Sequence, residues 1–325
     1  METKLLKPHQ IDQAVTLLSS GEIVAIPTET VYGLAADAKN DVAIKKIFMA
    51  KNRPINHPLI VHVDSFNNIL QWTNEIPEAA YKLSELFWPG PLTMLFNKKL
   101  MLANYITGDS TKIAIRIPDN KIALKVIKGV GGSLVAPSAN SYKKLSPTKA
   151  EHVMKDLANK IAAVLDGGPC SVGIESTIID LTTKIPKIMR PGSITKLMIE
   201  NALELIIPEY QQHNEKIPGN VEEHYQPNTP TFLMNLSEIE KYIQESKEAN
   251  VAVMHYSMLR FSNKISSYPI ASDRLGFAKN MYDILHQIDK SGFELILIEQ
   301  PPNHSNWSDI NDRLYKSSHK NKLNF

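Results

Sequence analysis

The 325-residue chain has only one cysteine and no long apolar run, and both features narrow the classes of protein to which it can belong. A single cysteine, Cys170, cannot form an intrachain disulfide or a multi-cysteine metal site, which favours a reducing compartment. No uninterrupted apolar run approaches a membrane span, and the N-terminal METKLLKPHQ lacks the apolar core of a signal peptide. We therefore expect a cytosolic protein with no membrane partner.

An excess of charge of one sign is also missing, since 36 basic residues are balanced by 34 acidic ones. This balance argues against an overall polyanion-binding surface but leaves room for a local basic cleft. The nucleotide-binding motifs G-x-x-x-x-G-K-[ST] and G-x-G-x-x-G do not occur, nor do H-E-x-x-H and G-x-S-x-G. A phosphate ligand would have to be held by isolated basic residues and loop amides.

Polar loops that directly follow short apolar strands are what the chain offers instead. The first is Ile26–Ala35 (IPTETVYGLA), and the second is Leu134–Asn140 (LVAPSAN), which repeats the order of strand, proline and small polar side chains. Such loops suit a small polar ligand. On spacing alone a structural role is favoured for the first loop, because strand-to-helix loops often carry Thr as an N-cap.

The order of apolar patterns predicts two domains. Strands and helices without strict alternation predict an α+β domain with a mixed sheet over residues 1–207. Residues 208–230 lack periodicity and contain four prolines and a glycine, which is typical of a linker. Beyond them a β-α-β-α-β-α pattern predicts a small parallel α/β domain over residues 231–325.

Lys51, Arg53, Ser138 and Asn140 are candidate ligands for a phosphate. Two cations one residue apart follow the helix after the first loop, but basic residues at a helix C-terminus can also simply complement the helix dipole. Ser138 and Asn140 offer a hydroxyl and an amide at a strand end, where an ordinary turn is equally consistent with the sequence. The residue pattern alone leaves both alternatives open.

Arg116 carries a stronger signal, because it lies inside an otherwise apolar alternating strand. A guanidinium on a half-buried sheet is costly without a partner, which favours a functional role. Arg190, next to Pro191 at another strand end, is a similar but weaker candidate. By position alone, His62 is more typical of a core histidine, and Cys170 of an inert thiol.

Seven motifs occur in order along the first domain: IPTETVYGL, KNRP…HPLIVHV, WPGPLT, IAIRIP, APSAN, GIESTIID and RPGSIT. In this order they resemble the YrdC-like domain of threonylcarbamoyl-AMP synthases, and the matches run from about Ile11 to Thr195. The chain also resembles the two-domain branch of that family through Pro218-Gly219…His224-Tyr225…Pro227 and Ile310–Leu314. The resemblance implies a YrdC-like twisted mixed sheet with a second, smaller Rossmann-like domain.

The resemblance also implies an activity: condensation of L-threonine, bicarbonate and ATP to threonylcarbamoyl-AMP and pyrophosphate, for the t6A modification of tRNA. It implies Mg²⁺ with the ATP, hand-over of the product to the tRNA threonylcarbamoyl-transferase machinery, and weak or indirect tRNA binding. Positions matching the catalytic signature are Lys51, Arg53, Ser138 and Asn140. Those matching the L-threonine site are Thr30, His62, Arg116 and Ser176. Those matching the ATP site are Lys51, Arg53, His57, Lys112, Ser138, Asn140, Arg190 and Tyr225, the last as part of a lid from the linker.

Three positions depart from the family pattern: His57 where Asn is frequent, Lys112 where Thr is frequent, and Ala136 where Thr occurs. Lys112 would either contact phosphate or point to solvent. Thr28 and Glu29 receive no role.

Two other functions fit the resemblance. One is a YrdC-like RNA-binding module without catalysis, although the aromatic and basic residues are not interleaved as in an RNA platform. The other is a related carbamoyl-adenylate enzyme fused to further modules, although one cysteine cannot supply the zinc fingers of such fusions.

Overall fold

The computed structural model describes residues 2–100, 104–211, 217, 224–245, 250–260 and 265–319. The chain divides into two compact units, of which the first contains Met1–Tyr142 and Ser146–Asn220 and the second Lys143–Leu145 and Val221–Phe325. The sequence-based boundaries at 1–207, 208–230 and 231–325 stay predictions.

The first unit contains ten strands in its described part. They are β1 Lys4–Leu6, β2 Val24–Ile26, β3 Gly33–Asp37, β4 Ile60–Val63, β5 Leu92–Asn97, β6 Lys112–Arg116, β7 Ser133–Val135, β8 Ala163–Leu165, β9 Thr177–Asp180 and β10 Lys187–Arg190. The α-helices are α1 Ile11–Ser19, α2 Asp41–Lys51, α3 Glu78–Phe87, α4 Asn104–Thr107, α5 Lys121–Gly129, α6 Ala150–Leu157 and α7 Lys196–Leu203; Phe66–Gln71 is a 3₁₀ helix.

These strands form one mixed sheet in the order β1-β8-β2-β3-β7-β4-β6-β5-β9-β10. Both parallel and antiparallel pairs occur, for example β4 with β6 and β5 with β6 respectively. The predicted α+β mixed sheet is therefore confirmed.

Apolar side chains on the two faces of the sheet pack in different ways. One face packs against α2, α3, α6 and α7 in the largest core cluster. The other face packs against α1 and α5 only along one part of the sheet. Over β4, β6, β5 and β9 this second face carries a small apolar cluster that contains Ile60, Ala114 and Ile178. Side chains alternate along a strand, so the polar residues two positions from these lie on the same face.

The loop after β2 differs from the prediction. It leads into β3, which pairs antiparallel with β2 from Val24↔Ala35 to Ile26↔Gly33. The expectation of a strand-to-helix loop is therefore wrong, because the Gly-Leu-Ala-Ala-Asp run of β3 has few of the β-branched and aromatic residues that mark a strand. Gly33 has a packing reason, since an added Cβ would lie 3.0 Å from the Cβ of Ala136.

The second unit has four strands in its described part, β11 Thr231–Met234, β12 Val251–His255, β13 Ser266–Pro269 and β14 Leu295–Glu299, and its helices are α8 Leu236–Glu245, α9 Arg274–Lys290 and α10 Ser308–Ser317. The strands form a parallel sheet in the order β11-β14-β12-β13. The predicted parallel α/β domain is confirmed, although β13 was not foreseen. Among the described residues, each helix is too short or too polar to cross a bilayer.

Candidate active site

The polar centre of the first unit lies on the second face of the sheet, where β4 and β6 run side by side. His62 on β4 is in register with Arg116 on β6. Because Lys112, Ala114 and Arg116 are two residues apart along β6, they share that face. On this face of β6, the apolar Ala114 therefore lies between two cations, Lys112 and Arg116.

Arg116 is buried and held from three sides, being 3% exposed. Its Nε donates to the carbonyl oxygen of Gly90 at 3.1 Å and its Nη1 donates to Thr30 Oγ1 at 3.0 Å. Its Nη2 donates to Glu29 Oε1 at 2.5 Å. Three of the five guanidinium N–H groups are therefore used, and one hydrogen on each terminal nitrogen is left for a ligand carboxylate.

His62 is a neutral imidazole beside this guanidinium. Burial, and secondarily the positive charge of Arg116, lower the pKa of His62 from 6.5 to about 3. Its Nδ1 lies 3.3 Å from the carbonyl oxygen of Ile60. A neutral ring can accept or donate one hydrogen bond on its other side without adding charge to the pocket.

Ser176, Thr93 and Arg190 form a second group of contacts on the same face. The hydroxyl oxygens of Ser176 and Thr93 are 2.7 Å apart, and both side chains are buried. Arg190 Nη2 donates to the carbonyl oxygen and the hydroxyl of Ser176 at 2.8 and 3.1 Å. The structure thus brings Arg190, expected on ATP, directly onto Ser176, expected on threonine.

Lys51 is buried, which distinguishes it from an ordinary cation at the end of a helix. Its Nζ donates to the carbonyl oxygens of Ser138, at 2.5 Å, and of Asn140. Burial, and secondarily Arg53, lower the pKa of Lys51 well below 10.5. The end of α2 is thereby linked to the second polar loop. The same loop is held by Asp156 on α6, whose carboxylate accepts from the backbone N and the hydroxyl of Ser141 at 2.5 and 2.6 Å.

Lys112 lines a cavity of about 290 Å³, and Arg53 is bonded to another lining residue, whereas His57 is not among the described residues that line it. Arg53 Nη2 donates to the carbonyl oxygen of Pro58 at 2.9 Å, and Pro58 and Lys112 line the cavity directly. His57 packs edge-on against Tyr142 at a ring distance of 5.4 Å. The other lining residues are Leu59, Leu95, Ile106, Thr107, Asp109, Ser110, Ala114 and Ile217.

Lys112 neither points freely to solvent nor lacks a counter-ion. Its Nζ lies 2.7 Å from Asp180 Oδ2, and its side chain is 23% exposed. Burial alone would raise the pKa of Asp180, but hydrogen bonds from Lys112 and Thr182 hold that pKa below 3.8. Asp180 is a neighbour of Lys112 that the sequence analysis missed, because it lies two strands away.

Tyr225 belongs to the second unit, where it is buried with φ of 61°. Its ring centroid lies 4.0 Å from that of His224 and 5.9 Å from that of Tyr282. The guanidinium carbon of Arg313, on α10, lies 5.4 Å from its ring centroid. Pro218 and Gly219 of the same predicted linker lie outside the described residues.

Comparison with known proteins decides the family. The Sua5/YciO/YrdC profile, described as "Telomere recombination", matches residues 16–192. A profile described as "Threonylcarbamoyl-AMP synthase, C-terminal domain" matches residues 194–319. A threonylcarbamoyl-AMP synthase from Bacillus subtilis is 38% identical over 321 residues, covering 95% of this chain and 93% of the relative. The chain belongs to the Sua5/YciO/YrdC family.

Other relatives in this family agree over both units. A threonylcarbamoyl-AMP synthase from Pyrococcus abyssi is 35% identical over 317 residues, which are 90% of this chain and 89% of the relative. The crystal structure of P. abyssi Sua5 complexed with L-threonine is similar with a TM-score of 0.88, 33% identity and 98% coverage of both chains. The resemblance to the two-domain branch is thereby confirmed.

Several residues of this candidate site were not assigned from the sequence. Thr93 could have been found from the alternation on β5, which places it on the face of Leu95. Glu29 was noted in the first loop without a role, yet its carboxylate pairs with Arg116. Asp156 gave no signal, because its partner Ser141 is fifteen residues away on a different element.

Proposed function

We propose that the chain condenses L-threonine, bicarbonate and ATP to threonylcarbamoyl-AMP and pyrophosphate. The observation that carries this proposal is the single face of β6, which presents Arg116 at one end and lines the 290 Å³ cavity with Ala114 and Lys112. Ala114 and Arg116 are two residues apart, about 7 Å along a strand. An amino acid and a nucleotide bound at these places would have their reacting ends next to each other.

The threonine end is the pocket around Arg116. The two unused guanidinium hydrogens match a carboxylate, and neutral His62 and the hydroxyl of Ser176 offer uncharged polar contacts. Thr30 Oγ1 accepts a bond from Arg116, which leaves its oxygen one further acceptor position. The P. abyssi structure, solved with L-threonine, supports threonine as the ligand of this pocket.

The nucleotide end is the cavity between β6 and the segment after α2. Its apolar residues suit the flat faces of a base, while Arg53, bonded to the lining residue Pro58, provides positive charge for phosphates. Lys112 also lines the cavity, with its charge paired to that of Asp180. Lys51 fixes the backbone of the loop that carries Ser138 and Asn140, and the proposal assigns these three residues to the phosphates of the same nucleotide. Arg190, now placed on Ser176, would lie where the amino acid and the phosphates meet.

The chemistry requires no nucleophilic side chain. The threonine amine and bicarbonate lose water to give a carbamate, whose oxygen attacks the α-phosphorus of ATP and displaces pyrophosphate. Two anions must meet for this attack, so the contribution of the protein is to hold them in line and to screen their charge. Buried cations such as Arg116 serve that purpose, and exclusion of water from the loaded site would slow hydrolysis of the mixed anhydride.

Magnesium is best treated as part of the ATP substrate. The buried carboxylates of Glu29 and Asp180 are each paired with a cation. They are therefore poor ligands for Mg²⁺, which we propose enters bound to triphosphate oxygens and water.

Three expectations complete the proposal: hand-over of the product to a tRNA threonylcarbamoyl-transferase, weak or indirect tRNA binding, and a lid role for Tyr225. The RNA-binding module without catalysis is not favoured, since curated synthases match over both units.

Incubation of the purified chain with labelled L-threonine, bicarbonate and Mg-ATP tests the proposal. A product with the mass of threonylcarbamoyl-AMP should form, and it should disappear when bicarbonate is removed or when Arg116→Ala is used. Formation of a threonine adduct without bicarbonate, such as threonyl-AMP, would contradict the proposed reaction.

A further inference from the structure

Glu29 is a buried carboxylate that the proposed reaction leaves without a task. Its side chain is 4% exposed, and its Oε1 accepts from Arg116 Nη2 at 2.5 Å. The other oxygen, Oε2, has no hydrogen-bond partner among the described residues. Burial of a carboxylate with only one hydrogen-bonded oxygen is unfavourable for the stability of the fold. The contact of Glu29 with Arg116 therefore points to a functional role.

The loop that carries Glu29 is built to hold this carboxylate in place. The backbone oxygen of Glu29 accepts from Val172 N at 2.7 Å. Thr28 Oγ1 accepts from the backbone N of Thr30 and of Val31 at 3.2 Å and donates to Val31 O at 2.6 Å. These bonds close the loop on itself, so Glu29 and Thr30 reach Arg116 from a fixed backbone.

Contacts with Thr28 and Arg116 also fix the orientation of the Thr30 side chain. The hydroxyl oxygens of Thr28 and Thr30 lie 2.9 Å apart, and Arg116 Nη1 has only hydrogens to offer, so the oxygen of Thr30 accepts from it. Thr30 Oγ1 therefore faces Arg116 Nη1 as an acceptor. The two terminal nitrogens of Arg116 are thus each held by one residue of the Thr28–Thr30 segment.

We infer that Glu29 is a positioning residue for the amino-acid substrate, which acts by fixing and neutralising Arg116 so that its two remaining N–H groups present a fork to the substrate carboxylate. This inference rests on the proposed binding of threonine at Arg116. It gives the Thr-Glu-Thr segment one shared purpose: Thr28 closes the loop, Glu29 holds Nη2 and Thr30 holds Nη1.

Loss of the Glu29 charge has two opposing effects on the affinity for threonine. An uncompensated guanidinium attracts a carboxylate more strongly, but it also loses a charge-assisted hydrogen bond and its fixed direction. We expect the second effect to win, because an unpaired buried cation turns toward water or any small anion, which threonine must then displace. The difference in affinity between threonine and an analogue that lacks the carboxylate reports this effect directly.

Calorimetric titration of the full chain with L-threonine and with L-threoninamide, which lacks the carboxylate, tests the inference. Glu29→Gln keeps the shape and removes the charge, whereas Glu29→Asp keeps the charge and withdraws it by one methylene. Glu22→Gln is the matched control, because Glu22 forms a 2.7 Å ion pair with Lys46 at the surface. Thermal unfolding of each variant shows whether it is folded.

Glu29→Gln should weaken threonine binding about tenfold, the loss of roughly one charge-assisted hydrogen bond, and leave threoninamide binding within about twofold. Glu29→Asp, which should fold even if Gln does not, should weaken threonine binding by a smaller factor, and Glu22→Gln should change neither ligand. Unchanged or tighter threonine binding in the folded Glu29 variants overturns the inference, as does an equal loss for both ligands. If the wild-type chain itself does not bind threonine, the proposed function fails first.

Discussion

At the scale of single residues, two buried cations organise the site. Arg116 is held by side chains and a carbonyl oxygen on three sides, and Lys51 donates to the backbone of the loop that carries Ser138 and Asn140. Their partners are oxygen atoms fixed by other elements. Substitution of either cation should therefore affect both the local structure and the ligand that it faces.

Lys51→Met tests whether this lysine is more than a cation at a helix end. The variant removes the two hydrogen bonds from Lys51 to buried backbone, so we expect a loss of about 1–3 kcal/mol in the free energy of unfolding and a turnover lowered more than tenfold. Urea denaturation and the synthase assay measure these effects. Lys128→Met is the matched control, because Lys128 lies exposed in the last turn of α5. Equal effects of both variants would show that Lys51 acts only on the helix dipole.

His62 predicts a pH dependence of stability. Its pKa is about 3 in the folded chain and about 6.5 when unfolded, so the unfolded state binds the extra proton between these values. The stability that neutral His62 permits is therefore complete above pH 6.5 and is lost toward pH 3, by about 1.4 kcal/mol per pH unit. Denaturation measured at pH 7 and at pH 5 should show a smaller fall in the free energy of unfolding for His62→Gln than for the wild type. Parallel curves would contradict the assignment of a neutral buried imidazole.

At the scale of elements, alternation along the strands accounts for most of what the sequence predicted. Arg116 stood out because its neighbours Ile115 and Ile117 are apolar, and β6 does place it on the same face as Ala114. The short runs at residues 176–181 and 186–189 are likewise typical of a hairpin, and β9 and β10 do pair antiparallel, with Ile188 opposite Ile179.

Other parts of the site could not be predicted, because they depend on pairing between distant segments. The apolar pattern of α2 is the same whether Lys51 points to solvent or to the loop at Ser138, eighty-seven residues away. The Lys112–Asp180 pair spans β5 and thus requires the strand order. The turn to β3 was missed for a local reason, since glycine and alanine are weak strand formers.

The face of β6 offers a test of the nucleotide end. Ala114→Leu should place extra atoms in the 290 Å³ cavity and raise the KM for ATP by about tenfold or more. The affinity for threonine should change little and is the internal control, because Arg116 lies two residues further along the strand. Calorimetry with threonine and kinetics with ATP separate the two. A rise in both the KM for ATP and the Kd for threonine would indicate a general distortion of β6. A rise in neither would show that ATP binds elsewhere.

At the scale of the whole molecule, the two units have separate cores. Ile199 and Ile207 pack in the core of the first unit, so a deletion after Thr195 would remove core side chains as well as the second unit. A cut after Asn220 follows the division between units. Tyr225, with its neighbours Tyr282 and Arg313, lies beyond that cut.

The chain truncated after Asn220 should stay folded and bind threonine within a few fold of the full chain. Its turnover should fall at least tenfold, because Tyr225, the predicted lid residue, is missing and water enters the site. Circular dichroism, calorimetry and the synthase assay measure these three properties. Full turnover in the truncated chain would refute a catalytic contribution of the second unit.

Release of pyrophosphate from ATP tests the central claim most directly. The wild-type chain is assayed with Mg-ATP and with threonine and bicarbonate added singly and together, and with serine in place of threonine to probe the amino-acid pocket. The account predicts release only when threonine and bicarbonate are both present, and its near-complete loss in Arg116→Ala. Release that is indifferent to threonine, or that continues without bicarbonate, would contradict it.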